Sequence, residues 1–337
     1  MARQQMIVPV FIPHQGCPYR CVFCNQDEIT GSEEREDRER LGGALKEYLF
    51  SRPRETLPSK RELAFYGGTF TGLPRSRQKW FLDRVEPLVK NGWIQSLRLS
   101  THPKMLDQEK LSFLNRYSVR TLELGIQSTQ DSVLESSGRG GALEGLPDLV
   151  KLIRRENFGL GTQLMVGLPG DSEARFLASL EEVIDLKPDF VRLYPTVVIR
   201  DTLLHQWFLE KKYRPWSLDR TVEILKKALF RLRKAGIPVI RMGLHPEASL
   251  LDNVVEGPVH PALRSLVESR LCLDEMEALL KNVRRGGKTA IFKVPLKQIS
   301  NYTGHRKENV ERLKSRFELE QVVIRGEPDC QSLQLIN

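Results

Sequence analysis

An α/β fold is predicted: a partial (β/α)6 TIM-like barrel followed by a small α/β C-terminal module. Three observations carry this prediction. Short apolar runs alternate with helical patterns over about the first 240 residues, the rhythm of strands and crossover helices in a parallel sheet. Three cysteines, a glycine pair, a glutamine and a Gly-Leu-Pro-Gly loop fall just after predicted strands, on the rim where such folds gather their chemistry. Beyond Leu250 the alternation stops and basic residues concentrate.

The elements follow in order. Met6-Ile-Val-Pro-Val-Phe-Ile12 is a short apolar run stopped by Pro13, which reads as a buried strand, and the cysteine loop follows directly. Glu33 to Phe50 reads as a helix whose early acids complement its N-terminal dipole. Arg61 to Tyr66 is the next strand, broken by Gly67-Gly68. Residues 75–90 read as helix, Ile94 to Ser100 as strand, Asp107 to Asn115 as helix and Val119 to Gln127 as strand. Helical stretches at 131–137 and 143–156 precede the strand Gly159 to Val166. A helix over 172–185 and a sixth strand, Phe190 to Tyr194, come next. Helices around 202–210 and 217–235 lead to Val239-Ile240, one further strand.

Past Leu250, Pro258 to Leu280 reads as a helix, ended before Gly286-Gly287. Thr289 to Val294 is a strand and Arg306 to Phe317 a basic amphipathic helix, with Val310, Leu313 and Phe317 on one face. Two short strands, Val322 to Arg325 and Ser332 to Ile336, complete the module. The expected division is a barrel over 1–250 and a basic module over 251–337.

Composition bounds the function classes. The chain has 337 residues, enough for one large and one small domain, with 40% hydrophobic and 28% charged residues, as in ordinary soluble proteins. The net charge is +9, and between Lys281 and Arg316 eleven Lys/Arg face two acids, Glu308 and Glu311. The basicity is therefore local to the module. One reading is a solvated exterior on a packed helix; the other is a surface for a phosphate backbone, with Arg306, Lys307 and Arg312 as leading contacts. No apolar run is long enough to span a bilayer, and Met1 to Ile7 lacks the apolar core of a secretory leader. No membrane partner and a cytoplasmic, reducing compartment are expected. An odd count of five cysteines also argues against a disulfide framework.

Cys17, Cys21 and Cys24 are spaced by three and then two residues, so three thiols converge from one loop on a single soft metal centre. Thiolate sites usually close with four ligands. Two readings fit: a cluster with one iron left open for a cosubstrate, and a zinc site closed by His14 or a distant residue.

Cys-x3-Cys-x2-Cys after a first strand and Gly67-Gly68-Thr69-Phe70 after a second resemble the radical S-adenosylmethionine superfamily. The resemblance implies a site-differentiated [4Fe–4S] cluster on the three cysteines and S-adenosylmethionine as cosubstrate, cleaved to a 5′-deoxyadenosyl radical. It further implies that the backbone of Gly67, Gly68 and Thr69 approaches the methionyl amino group. Gln127 and Gln163 stand at ribose-contacting positions, and Arg139 matches an arginine that pairs with the methionyl carboxylate. Met165 and Val197 are weaker matches for adenine packing, and Phe23 beside Cys24 shields the cluster. A ferredoxin- or flavodoxin-type reductase is the implied electron source.

Within the superfamily, residues 60 to 245 resemble the radical domain of the Elongator catalytic subunit family. The matching stretches are Glu123-Leu-Gly-Ile-Gln-Ser-Thr129, Met165-Val-Gly-Leu-Pro-Gly170, Arg192-Leu-Tyr-Pro-Thr-Val-Val-Ile-Arg-Asp-Thr202 and Tyr213-Arg-Pro-Trp-Ser217. That family modifies the wobble uridine of transfer RNA. The sequence departs from it by tighter cysteine spacing, by Arg139-Gly140-Gly141 in place of Arg-Gly-His, and by the lack of an acetyltransferase domain after the barrel. The expectation is radical chemistry on RNA, transfer RNA above all. The alternatives are radical chemistry on a small molecule such as a tetrapyrrole, and a non-catalytic cluster- or haem-handling protein.

Overall fold

The structure, a computed structural model, describes residues 5–12, 16–24, 34–244, 252–282 and 287–336. His14, named above, and Arg284 and Arg285, two of the eleven basic residues counted between Lys281 and Arg316, lie outside the described residues.

Seven strands form one parallel sheet curled as a half-barrel: β1 (Gln5–Phe11), β2 (Lys60–Tyr66), β3 (Ser96–Thr101), β4 (Val119–Gln127), β5 (Gly159–Val166), β6 (Phe190–Pro195) and β8 (Val239–Met242). The spatial order follows the chain except for β7 (Val198–Ile199), which leaves the sheet. The strand expected at Val239-Ile240 runs Val239–Met242 and pairs with β6 at the far edge, giving seven strands. β7 pairs instead with β9 (Val254–Glu256), a two-stranded antiparallel ribbon that no apolar run announces.

Crossover helices cover the sheet: α1 (Glu34–Leu45), α2 (Arg75–Lys90), α3 (Gln108–Leu114), α4 (Asp131–Ser136), α5 (Leu146–Arg155), α6 (Glu173–Asp185), α7 (Leu203–Leu209) and α8 (Leu218–Lys234). Four of them start where a side chain accepts an otherwise unpaired amide. Asp107, Ser172, Thr202 and Ser217 cap α3, α6, α7 and α8 through the N–H groups of Lys110, Arg175, His205 and Arg220. The predicted helix over 33–50 is α1 followed by one wider helical turn at Lys46–Phe50.

The C-terminal part consists of α9 (Leu263–Asn282), β10 (Thr289–Pro295), α10 (Ile299–Thr303), α11 (Glu308–Phe317), β11 (Gln321–Glu327) and β12 (Gln334–Leu335). β10 is central, parallel to β11 and antiparallel to β12. The predicted helix from Arg306 starts at Glu308, since Arg306 and Lys307 both have positive φ (49° and 65°). Alternate residues Ala290, Phe292 and Val294 of β10 are buried against the helices.

Two cores result. The larger runs from Val8 to Leu271, and the smaller gathers Cys272, Met276, Phe292, Tyr302 and Leu313. Helix α9 serves both: Leu263, Val267 and Leu271 pack in the first, while Cys272, Leu273, Met276 and Leu280 pack in the second.

Candidate active site

The cysteine loop is pinned from several sides. Ile12 N–H donates to Tyr66 O (2.8 Å), so β1 stays paired to its end. Gly16 lies so close to Gly72 that a side chain on Gly72 would overlap the Gly16 carbonyl. On the other side, Gly138 adopts φ +71°, and a methyl there would sit 2.7 Å from Arg20 O. Val22 donates to Ser137 O (3.2 Å) and accepts from Leu204 N–H (2.8 Å), and its side chain is buried with Val198, Leu204 and Tyr213. A Cys24 N–H to Cys21 O bond (3.0 Å) closes the turn between two thiols.

The nine residues assigned to cluster and cosubstrate line one cavity of about 200 Å³: Cys17, Cys21 and Cys24 with Gly67, Gly68, Thr69, Gln127, Arg139 and Gln163. They come from the loop after β1, the turn after β2, the end of β4, the turn after α4 (Arg139) and the body of β5 (Gln163). Phe23 lines it too. Cys272 and Cys330 belong to the C-terminal part and do not. Met165 and Val197 also stand outside it. Among the described residues, no three Cys, His, Asp or Glu side chains are drawn together closely enough to hold a metal ion. Thiols on a loop converge when the metal supplies the attraction that offsets their crowding.

Arg139 reaches Cys21 Sγ with Nη1 (3.4 Å) and Gly125 O with Nη2 (2.6 Å), leaving Nε buried without a partner. Burial pushes the Cys21 thiol above its ordinary value, and the Arg139 guanidinium opposes that rise. A cation beside the thiol favours the thiolate a metal needs. Gln127 sits at φ +70°, where the register between β4 and β5 slips, and its Oε1 is buried without a hydrogen bond. A left-handed glutamine with an orphaned buried oxygen is the kind of strain that persists at functional sites. Gln163 Nε2 donates to Ser100 Oγ and Glu123 Oε2 (both 3.3 Å).

His102 was not singled out from the sequence. It follows β3, lines the cavity and stacks on Tyr19 (ring centroids 4.8 Å apart). Its Nδ1 accepts from Lys104 N–H (3.1 Å), which puts the ring proton on Nε2, a buried atom with no partner. Burial, with Arg139 and Lys104 nearby, lowers its pKa to about 3, so the imidazole is neutral.

A second cavity of about 430 Å³ adjoins the first, sharing Gly67, Ser100 and Gln163. Its walls include Phe11, Tyr48, Tyr66 and Tyr194, with Arg192 and Arg241. Beneath it lies a closed ionic network. Arg98 pairs with Glu62 and with Glu123 (3.0 Å), and Arg192 Nε lies 2.6 Å from Glu123 Oε2. Tyr66 hydroxyl donates to Glu123 (3.1 Å) and accepts from Arg192. Burial and the Glu123 charge push the Tyr66 phenol well above its ordinary value, and burial does the same for Tyr194. Both phenols are neutral.

The Gly167-Leu-Pro-Gly170 loop is held from outside. Tyr213 hydroxyl donates to Gly167 O (2.7 Å), and a side chain at Gly167 would press on the Trp216 ring. Two residues of the Tyr213–Ser217 stretch therefore buttress the rim.

In the C-terminal part most of the basic residues are paired. Lys288, Lys293, Arg312, Lys314 and Arg316 form ion pairs with Glu320, Glu327, Glu308, Glu311 and Glu277. Among the described residues, Lys281, Lys297, Arg306 and Lys307 are exposed and have no carboxylate partner. No helix among the described residues is long and apolar enough to cross a membrane.

Comparison with known proteins sets these features in a lineage. The sequence profile of the Radical SAM superfamily matches residues 11–183, just over half of the chain, and a Radical SAM C-terminal domain profile matches 188–272. A tRNA uridine(34) acetyltransferase of Methanocaldococcus jannaschii is 24% identical over 260 residues, covering 66% of this chain and 48% of that protein. Mouse Elongator complex protein 3 is 26% identical over 232 residues, covering 63% and 42% respectively. The chain thus spans about half the length of these curated relatives. The solved archaeal Methanocaldococcus infernus Elp3 with an N-terminal deletion shares the fold, with a TM-score of 0.60 at 20% identity over 81% of this chain and 63% of that one.

Proposed function

Because the chain belongs to the radical SAM superfamily, whose members are enzymes, we propose that it uses S-adenosylmethionine and a [4Fe–4S] cluster to modify RNA, with transfer RNA as the preferred substrate. The single observation that carries this reading is the convergence of the nine residues assigned to cluster and cosubstrate on one cavity.

The residues present fit the two groups. Three thiols on one loop are a cluster donor set. Gln127 Oε1, Arg139 Nε and His102 Nε2 are buried polar atoms without partners, and such atoms are costly unless a ligand satisfies them. When bound, the cluster supplies the electron that cleaves S-adenosylmethionine to a 5′-deoxyadenosyl radical. Cys17, Cys21 and Cys24 hold the cluster, and Arg139 favours the thiolate of Cys21. Gly67, Gly68 and Thr69 present backbone to the cosubstrate. Gln127 and His102 offer it an acceptor and a donor, while Gln163 orients Ser100 at the boundary between the cavities. Val22 and Phe23 exclude water. A ferredoxin- or flavodoxin-type protein delivers the electron.

RNA as substrate is supported by the tRNA uridine(34) acetyltransferase relatives and by the exposed cations of the C-terminal part that have no carboxylate partner among the described residues. The division into a barrel over 1–250 and a module over 251–337 belongs to the same proposal. A second reading, a small-molecule substrate, is favoured by the adjoining 430 Å³ cavity with its aromatic walls.

Anaerobic reconstitution tests the cluster: wild type should bind about four irons, as one [4Fe–4S] centre requires, and Cys21→Ala should lose them. With reductant, the loaded protein should release 5′-deoxyadenosine. An intact cluster that yields none would overturn the enzyme reading. Nucleoside profiles of transfer RNA from wild-type and deletion strains then separate the two substrates; identical profiles favour the small molecule.

A further inference from the structure

The C-terminal part contains an unbroken strand–helix–turn–helix–strand unit. β10 runs into α10, the turn Gly304-His305-Arg306-Lys307 and α11, and returns as β11 parallel to β10. Gly304 has φ +79°, and a side chain there would lie 2.9 Å from Asn309, so the turn tolerates only glycine. Arg306 and Lys307 follow it at positive φ, exposed and without carboxylate partners among the described residues.

A second, independent feature lies on the same unit. Leu296 is 50% exposed and Ile299 36% exposed, among the few large apolar side chains open to solvent. Both face Gly326 of the edge strand β11, where a side chain would meet Leu296 Cδ1 at 2.9 Å and Ile299 Cδ1 at 3.2 Å. Half-buried Ile324 precedes it on the same strand. Lys297, also unpaired, stands between the two apolar residues in sequence. An exposed apolar strip beside free cations matches a ligand that carries flat apolar faces and a phosphate chain together. A duplex hides its base faces; a single strand offers them. The layout is also that of KH modules, whose glycine turn between two helices clamps the backbone of single-stranded nucleotides. Here Lys307 stands where those turns carry their second glycine, adding a cation.

We propose that the face built from Leu296, Lys297, Ile299 and the 304–307 turn binds a single-stranded stretch of RNA. Phosphates lie at Arg306 and Lys307, and bases lie over Leu296 and Ile299. This deepens the RNA reading above and rests on it only for the strand being RNA.

The test is fluorescence anisotropy of the full chain with a labelled 12-nucleotide uridine-rich RNA and with a 12-base-pair RNA duplex, over a series of salt concentrations. Wild type should bind the single strand at least tenfold more tightly than the duplex. Arg306→Asp with Lys307→Asp should weaken single-strand binding tenfold or more and flatten the log–log salt slope by about 1.4, at ~0.7 per lost phosphate contact. Leu296→Ser, at an exposed position, should weaken it several-fold with the slope unchanged. Equal affinity for duplex and single strand overturns the proposal, as does a doubly substituted protein that binds within twofold of wild type. The assay needs neither cluster nor cosubstrate, so it can succeed where radical chemistry fails and fail where that chemistry succeeds.

Discussion

Arg98 and Arg192 in the barrel are buried against Glu62 and Glu123, whereas Arg306 and Lys307 in the C-terminal part stand in solvent with no carboxylate partner among the described residues. Beneath the second cavity the barrel pairs its charges internally. Glu123 is fully buried and shared between two guanidiniums, of which Arg192 also stands in the cavity wall. Its work is architectural: it ties β2, β3, β4 and β6 together under the second cavity. In the C-terminal part most pairs lie at the surface, and Lys297, Arg306 and Lys307, on the unit that carries the apolar strip, are among the cations without a carboxylate partner among the described residues.

The comparison breaks most visibly at its buried end. Glu123→Gln removes the carboxylate from two buried arginines, and breaking a buried pair costs about 3–5 kcal/mol. Urea denaturation should show that loss; a variant within 1 kcal/mol of wild type, on the order of a single exposed pair, would mean that water or Glu62 compensates. An intermediate case sharpens the contrast. Arg316 is more than half exposed but makes two hydrogen bonds (2.8 and 2.7 Å) to the nearly buried Glu277. Arg316→Ala should cost about 1 kcal/mol, while Arg312→Ala, which loses only its exposed Glu308 partner, should stay within about 0.5 kcal/mol.

The smallest effect concerns a half-buried carboxylate with no ion pair among the described residues. Asp171, on the rim loop, accepts from the Gly167 and Ser172 N–H groups, and burial raises its pKa to about 6 despite those donors. The folded value lies above the unfolded ~3.9. Its contribution is therefore complete below the unfolded value and is lost as pH rises through about 6. Urea midpoints at pH 5 and pH 7.5 should fall with rising pH in wild type more than in Asp171→Asn. Equal slopes in the two proteins would remove Asp171 as the cause.

Much of the barrel was legible because buried parallel strands are written as apolar runs and helices as periodic ones. The site residues were legible because cysteine, glycine and glutamine just past a strand have few structural reasons to be there. His102 obeys the same positional rule, directly after β3, and attention to strand ends would have found it. The ionic network was not legible. Glu62, Arg98, Glu123 and Arg192 alternate with apolar residues as solvent-facing positions do, and only the curl of the sheet turns that face inward. The start of α11 was misplaced because amphipathic spacing continues through Arg306 and Lys307 while their backbone turns left-handed. The β7–β9 ribbon is too short to carry a period at all.

One consequence follows from α9. At 20 residues it is about 30 Å long, and its two halves belong to different cores. A protein cut after residue 250 would lose Leu263, Val267 and Leu271 from the barrel, so removing the C-terminal part would also open the larger core. The helix acts as a common spine. It fixes how far and at what angle the 304–307 turn stands from the barrel rim, much as a jig sets the reach of a tool.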